Sequence, residues 1–223
     1  MQRKWVVSLA IDGQDEITAE GTMNAIDQLM AEHELIVEVL DALDGYASNV
    51  ERGTEVEPSD LAELVRFLRE FADGCHHAKE EGILFAAMEQ AGFPREMGPL
   101  AVMLAEHEQG RGYIARLRAV ADRAPDWSAA DRTELAAAAH DYAALLRRHI
   151  AKEDGILFPM AQARLDREVM ARVTADFERF EREQTGPGEH EKLHALAGQL
   201  TLRYAGRPGE QAAAHAHGHA CCG

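Results

Sequence analysis

Apolar residues recur at three- and four-residue intervals through four long stretches of the chain, and in each stretch a histidine falls on the apolar line. In the first, Ile26, His33 and Leu40 share a stripe, with Leu29, Ile36 and Val37 beside it. In the second, Leu61, Val65, Leu68 and Ala72 lead to His76, Glu80, Ile83 and Ala87. The third gives Leu100, His107 and Ile114, flanked by Met103, Leu104 and Leu117; the fourth gives Leu135, Tyr142, His149 and Ile156, joined by Leu146, Glu153 and Met160. This period is helical, and no segment reads convincingly as sheet. Helix-breaking and capping residues place the four helices at about 22–47, 59–90, 96–123 and 128–165, with Thr22, Ser59 and Ser128 as N-caps. Gly92 and Pro94 end the second, Pro125 ends the third, Pro99 fits its first turn, and Pro159 is placed to kink the end of the fourth.

Four long helices with connections of a few to a dozen residues predict an all-α fold, an antiparallel four-helix bundle over 22–165. A polar helix at 167–184, the break Gly186-Pro187-Gly188 and a last helix at 189–204 make a helical C-terminal extension, 166–204. Residues 205–223, rich in Gly, Ala and His, read as a disordered tail. Its His215, His217, His219, Cys221 and Cys222 form a candidate site for a soft metal. Residues 1–21 form an N-terminal arm, in which WVVSLAI fits a short strand or a segment laid over the bundle.

The 223-residue length fits one domain with additions. A net charge of −16 argues against nucleic acid or an anionic membrane as partner. No apolar run is long enough to span a bilayer, and the N-terminus lacks a signal-peptide core, so the expected location is cytoplasmic. Three cysteines make no disulfide framework, which agrees with a reducing compartment; Cys75, inside a helical pattern, is expected to be a small core residue.

The chemistry lies in an internal repeat. H-H-A-K-E-E-G-I-L-F-A, from His76, returns as H-I-A-K-E-D-G-I-L-F-P, from His149. A histidine and a glutamate four residues later lie on one helical face, so each copy aims an imidazole and a carboxylate at one point. Leaving such groups desolvated without partners costs several kcal/mol for each charged one, on the order given for buried ions. A single buried histidine is ordinarily a hydrogen-bonded core residue. Four of them at mid-helix, one per helix, with two glutamates, are better explained by a metal. Four imidazoles and two carboxylates exceed the set of a structural zinc, and mixed nitrogen and oxygen donors suit iron, zinc or manganese rather than calcium or magnesium. Six side chains suffice for two ions if the glutamates bridge. Ferritin-like di-iron bundles place Glu before His, the reverse of the order here.

These paired motifs, with E-H-E on the first and third helices, resemble the hemerythrin-like family, the HHE cation-binding domain, over roughly residues 22–165. The resemblance implies a non-haem di-iron centre held by His33, His76, Glu80, His107, His149 and Glu153. It further implies binding of or reaction with dioxygen, peroxide or nitric oxide, in oxidative or nitrosative stress or in iron homeostasis. Oxygen carriers of the family have a second histidine on helix three, where this chain has Arg111, and end in H-x-x-x-x-D, so Asp154 competes with Glu153. Repair-type relatives have an extra histidine on helix one, absent here between Glu34 and Ser59. Fewer nitrogen donors point away from reversible oxygen carriage and toward reactive or regulatory iron chemistry. His77 lies about 100° round the helix from His76 and is expected at a helix edge or in solvent. His140 is expected at the surface, Tyr142 in the core, and Lys79 and Lys152 either solvated or just behind the ligands. A non-enzymatic iron sensor or store is the alternative function. A zinc hydrolase at His190-Glu191-Lys192-Leu193-His194 is the third, weakened because Ala197 and Leu200 stand where an extended H-E-x-x-H pattern needs Gly and His.

Overall fold

The computed structural model describes residues 23–185 and 188–206, and among these every regular element is a helix. Helix α1 (Ala25–Glu51) is capped by Asn24, whose Oδ1 accepts from the N–H groups of Ile26 and Asp27. Thr22, the cap expected from sequence, lies outside the described residues. Helix α2 covers 58–90 and carries Pro58 in its first turn, where a missing N–H leaves nothing unmade. Helix α3 (Gly98–Ala121) tolerates Pro99 for the same reason. Helix α4 covers 129–164 and opens on a capping box in which Ser128 and Asp131 satisfy each other's backbone N–H. Helices α5 (167–185) and α6 (Glu189–Tyr204) follow. No helix among the described residues is long and apolar enough to cross a membrane. The N-terminal arm and the His/Cys segment from 207 lie outside the described residues.

Neighbouring long helices run in opposite directions, as their ion pairs show. The end of α3 meets the start of α4 through Arg116–Glu134 (2.6 Å) and Arg123–Asp131 (2.7 Å). Arg111 of α3 meets Asp73 of α2 at 2.9 Å, and Arg147 of α4 reaches back to Asp41 and Asp44 of α1, both at 2.6 Å. Their apolar stripes build two separate clusters. One holds Ile36, Leu40, Leu43, Leu64, Phe67, Phe71, Leu117 and Leu146; the other holds Ile26, Leu29, Phe85, Met88, Leu100, Leu157 and Phe158. The histidine layer sits between them, so water is excluded from above and below.

Helices α2 and α4 depart from α-geometry near the repeated motif. Residues 68–77, 80–84 and 153–157 form wide π-turns with hydrogen bonds to the fifth residue back. The N–H of Phe85 donates to the carbonyl of Glu80, and that of Phe158 to the carbonyl of Glu153. Gly74 makes the first of these turns possible, because a Cβ there would lie 2.9 Å from the Arg69 carbonyl oxygen. Pro159 follows directly on the last wide turn, where regular bonding is already interrupted.

Helix α6 lies along α1. Gly45 leaves room for the Tyr204 carbonyl, which a Cβ would meet at 1.9 Å, while Arg203 and the Tyr204 hydroxyl both bind Asp60. His140 joins α4 to α1 by donating to Asp44 (2.9 Å), with Glu51 at 3.4 Å. Burial lowers its pKa, but those two carboxylates outweigh burial and hold it above the usual imidazole value. A raised folded pKa stabilises the fold below the unfolded value of about 6.5 and is lost as pH rises through the folded pKa. Because the ring is partly exposed, the effect is small. His140→Gln should therefore lower the melting temperature, followed by circular dichroism, more at pH 6 than at pH 9. Equal losses at both pH values would show packing rather than charge.

Candidate metal centre

Residues from all four long helices meet in the layer between the two apolar clusters. His33, His76, Glu80, His107, His149 and Glu153 are all buried, with Glu80 and Glu153 at 0% exposure. Each imidazole is oriented from its outer side by a carboxylate that takes its Nδ1 proton. His33 donates to Asp154 (2.8 Å), His76 to Glu32 (2.8 Å), His107 to Glu81 (2.7 Å) and His149 to Glu106 (2.9 Å). Such outer carboxylates fix both the tautomer and the ring direction, as they do for metal-ligating histidines generally. The four Nε2 lone pairs then point inward.

The arrangement has an approximate twofold symmetry that follows the repeat. Glu32 and Glu106 each precede a histidine in sequence and each hold the histidine of the next long helix. Glu81 and Asp154 each follow an inward glutamate and hold the remaining two rings. Inside, Glu80 faces His76 Nε2 at 3.6 Å and His107 Nε2 at 3.5 Å. Glu153 faces His149 Nε2 at 3.2 Å and His33 Nε2 at 3.3 Å. Phe158 stacks on His33 (5.5 Å, 9°) as Phe85 does on His107 (6.0 Å, 14°). Asp154 therefore sits behind His33 and not within the layer, and Glu153 takes the inward position that Glu80 takes in the first copy.

The layer is chemically incomplete without a cation. All four oxygens of Glu80 and Glu153, together with His33 Nε2, are buried and accept or donate no hydrogen bond. His107 Nε2 and His149 Nε2 lie 2.9 Å apart, and with both Nδ1 protons committed to carboxylates, two lone pairs would face each other unless a proton or a metal lies between. Burial, then the charge of Glu153, pushes Glu80 well above the usual carboxylate range. Burial would also raise Glu153, but His149 and His33 outweigh it and hold that group well below its usual value. Two carboxylates this close cannot both ionise freely in a dry layer. Donor atoms of His33, His76, Glu80 and Glu153 fall within 4.8 Å of one another, as do those of His77, Glu80, His107 and His149. Two groups sharing Glu80 have the chemistry and spacing to hold metal ions.

His77 is the main departure from the sequence reading. Expected at a helix edge or in solvent, it is 3% exposed and stacks on His107 with ring centres 4.0 Å apart. The wide π-turn over 68–77 changes the register that a 100° step assumes. Its three-residue spacing to Glu80 was the available signal. The orienting carboxylates Glu32, Glu81 and Glu106 were also not identified, although each adjoins a ligand candidate in sequence. Tyr142 is fully buried, as expected.

Lys79 is not solvated. It is buried at 0% exposure and bridges Glu32 to Glu181 of α5, the latter at 2.7 Å, whereas Lys152 pairs with Glu106 at the protein edge. Burial raises the pKa of Glu32, but His76 and Lys79 outweigh it and bring it down to about 2. In the H-E-x-x-H segment, His190 comes within reach of Glu32 and Glu181, whose charges Lys79 already meets, and Glu191 is exposed.

The sequence comparisons agree with this picture. Two mycobacterial proteins, Uncharacterized protein Rv1995 of Mycobacterium tuberculosis and Uncharacterized protein Mb2018 of Mycobacterium bovis, are each 26% identical over 140 residues. That match covers 63% of this chain and 54% of each relative, so the chain spans about half the length of the curated relatives it matches. No solved structure matches it. The model of the Hemerythrin HHE cation binding domain matches residues 24–161, more than half of the chain, and the chain belongs to that family.

Proposed function

We propose that the four long helices form an antiparallel four-helix bundle whose central layer holds two non-haem iron ions and reacts with dioxygen, peroxide or nitric oxide. The observation that carries this reading is the pair of buried carboxylates, each facing two inward Nε2 atoms and neither accepting a hydrogen bond. Glu80 and Glu153 are placed to bridge, with His33 and His76 on one side and His107 and His149 on the other. Mixed imidazole and carboxylate donation suits iron. Two redox-active ions held together supply paired one-electron chemistry toward a small oxidant or diatomic.

The chain's own residues set the conditions for that chemistry. Asp154, Glu32, Glu81 and Glu106 keep the rings deprotonated at Nε2 and fixed in direction. The apolar clusters exclude bulk water, and Phe85 and Phe158 wall two of the rings. A role in oxidative or nitrosative stress or in iron homeostasis follows from such a centre.

The test is the metal content of the full chain after iron-replete expression, compared with His149→Ala. About two irons per chain are expected, with the variant losing at least one while its far-ultraviolet circular dichroism stays helical. No iron in the wild type, or metal content unaffected by His149→Ala, would overturn the reading. Rapid spectral change on adding nitric oxide or peroxide to the loaded protein, absent in the variant, would support the reactive function over simple storage.

A further inference from the structure

We infer that His77 is a third imidazole donor to one of the two metal positions, the one served by His107 and His149, so that the two positions are chemically unequal. This rests on the two-ion reading above and adds to it. In the repeat, each site residue of the first copy has a counterpart in the second, but His77 has no polar one: Ile150 stands in its place. Both side chains are buried. An isoleucine satisfies such a place as core. An imidazole there costs desolvation of two nitrogens unless something binds them.

The structure shows no protein group that does so for Nδ1. This atom is buried and makes no hydrogen bond. Asp73, the nearest acid at 3.5 Å, is engaged instead by Arg111 at 2.9 Å. The ring lies parallel to His107, 16° between planes, and edge-on to His149, with centres 5.8 Å apart. It shares with Glu80, His107 and His149 a set of donor atoms within 4.8 Å of one another. The position served by His33 and His76 has no third imidazole within its own set. One ion thus has three nitrogen donors and the other two, with the glutamates common to both.

The experiment is Mössbauer spectroscopy of the full-length protein loaded with iron-57, together with metal titration, on wild type and His77→Ile, the residue of the second repeat. Wild type should show two quadrupole doublets of equal area. The variant should alter one doublet, leave the other, and bind one of its two ions on the order of ten- to a hundred-fold more weakly, the loss typical of removing even an outer partner of a ligand. Unchanged doublets and affinities would overturn the inference and make His77 a packing residue. Should His77→Ile not fold, His77→Gln is read in the same way. A wild type without two irons would instead overturn the two-ion reading itself, which the metal content shows before any variant is compared.

Discussion

Replacing Glu80 by methionine should make the metal-free protein more stable by about 1–3 kcal/mol, the cost typical of a buried polar group without partners, while removing its capacity to hold the ion pair. Glu80 is sealed from solvent, and neither of its oxygens accepts a hydrogen bond. Burial and the charge of Glu153 push its pKa up, so without metal it is a neutral acid in a place suited to an apolar side chain. Methionine has similar length and no group to satisfy. In a domain of this size each kcal/mol moves the melting temperature by roughly 2–4 °C, so calorimetry on the chelated protein reads the effect directly. Metal analysis of the same variant should show both positions weakened, because Glu80 faces ring nitrogens on both sides. A metal-free variant less stable than wild type would mean that the carboxyl is satisfied in solution.

Lys79→Met should act in the opposite sense and more strongly, costing about 3–5 kcal/mol, as breaking a buried ion pair typically does. The ammonium is fully buried and sits on Glu32, itself buried and the acceptor of the His76 Nδ1 proton. Without Lys79, the carboxylate keeps its charge in a dry place, and α5 loses its link through Glu181. The repeat supplies an internal control. Lys152→Met removes the matching contact to Glu106, but this lysine is about one-third exposed, so about 0–1 kcal/mol is expected. Chemical denaturation of both variants checks the contrast, and similar losses for both would refute it.

Much of the site was legible because its information is local. The His–Glu spacing of four, the repeat from His76 to His149 and one histidine per apolar stripe each depend only on helical period. The cap at Ser128 and the prolines in first turns are local as well. His77 was misplaced because the step of 100° per residue fails across a π-turn, which leaves no mark in the hydrophobic pattern except Gly74. Lys79 was left undecided because its second partner, Glu181, lies 102 residues away on a helix whose docking the pattern does not specify. Asp154 and Glu153 compete in sequence because both fit a ligand spacing. Only the three-dimensional arrangement separates them, by sending one behind His33 and the other between the rings.

The wide turns at 80–84 and 153–157 also bear on how the chain can change in length. Each accommodates one residue more than an α-turn, and beyond each the helix resumes with Phe85 or Phe158 against a ligand ring. Deleting one residue within 153–157 would restore regular backbone bonding locally, yet rotate everything after it by about 100°. Phe158 would leave His33, and Leu157 and Ala161 would turn out of the core. Helix length at these two points is therefore fixed by the ring packing it delivers, and insertions and deletions are confined to the connections between helices.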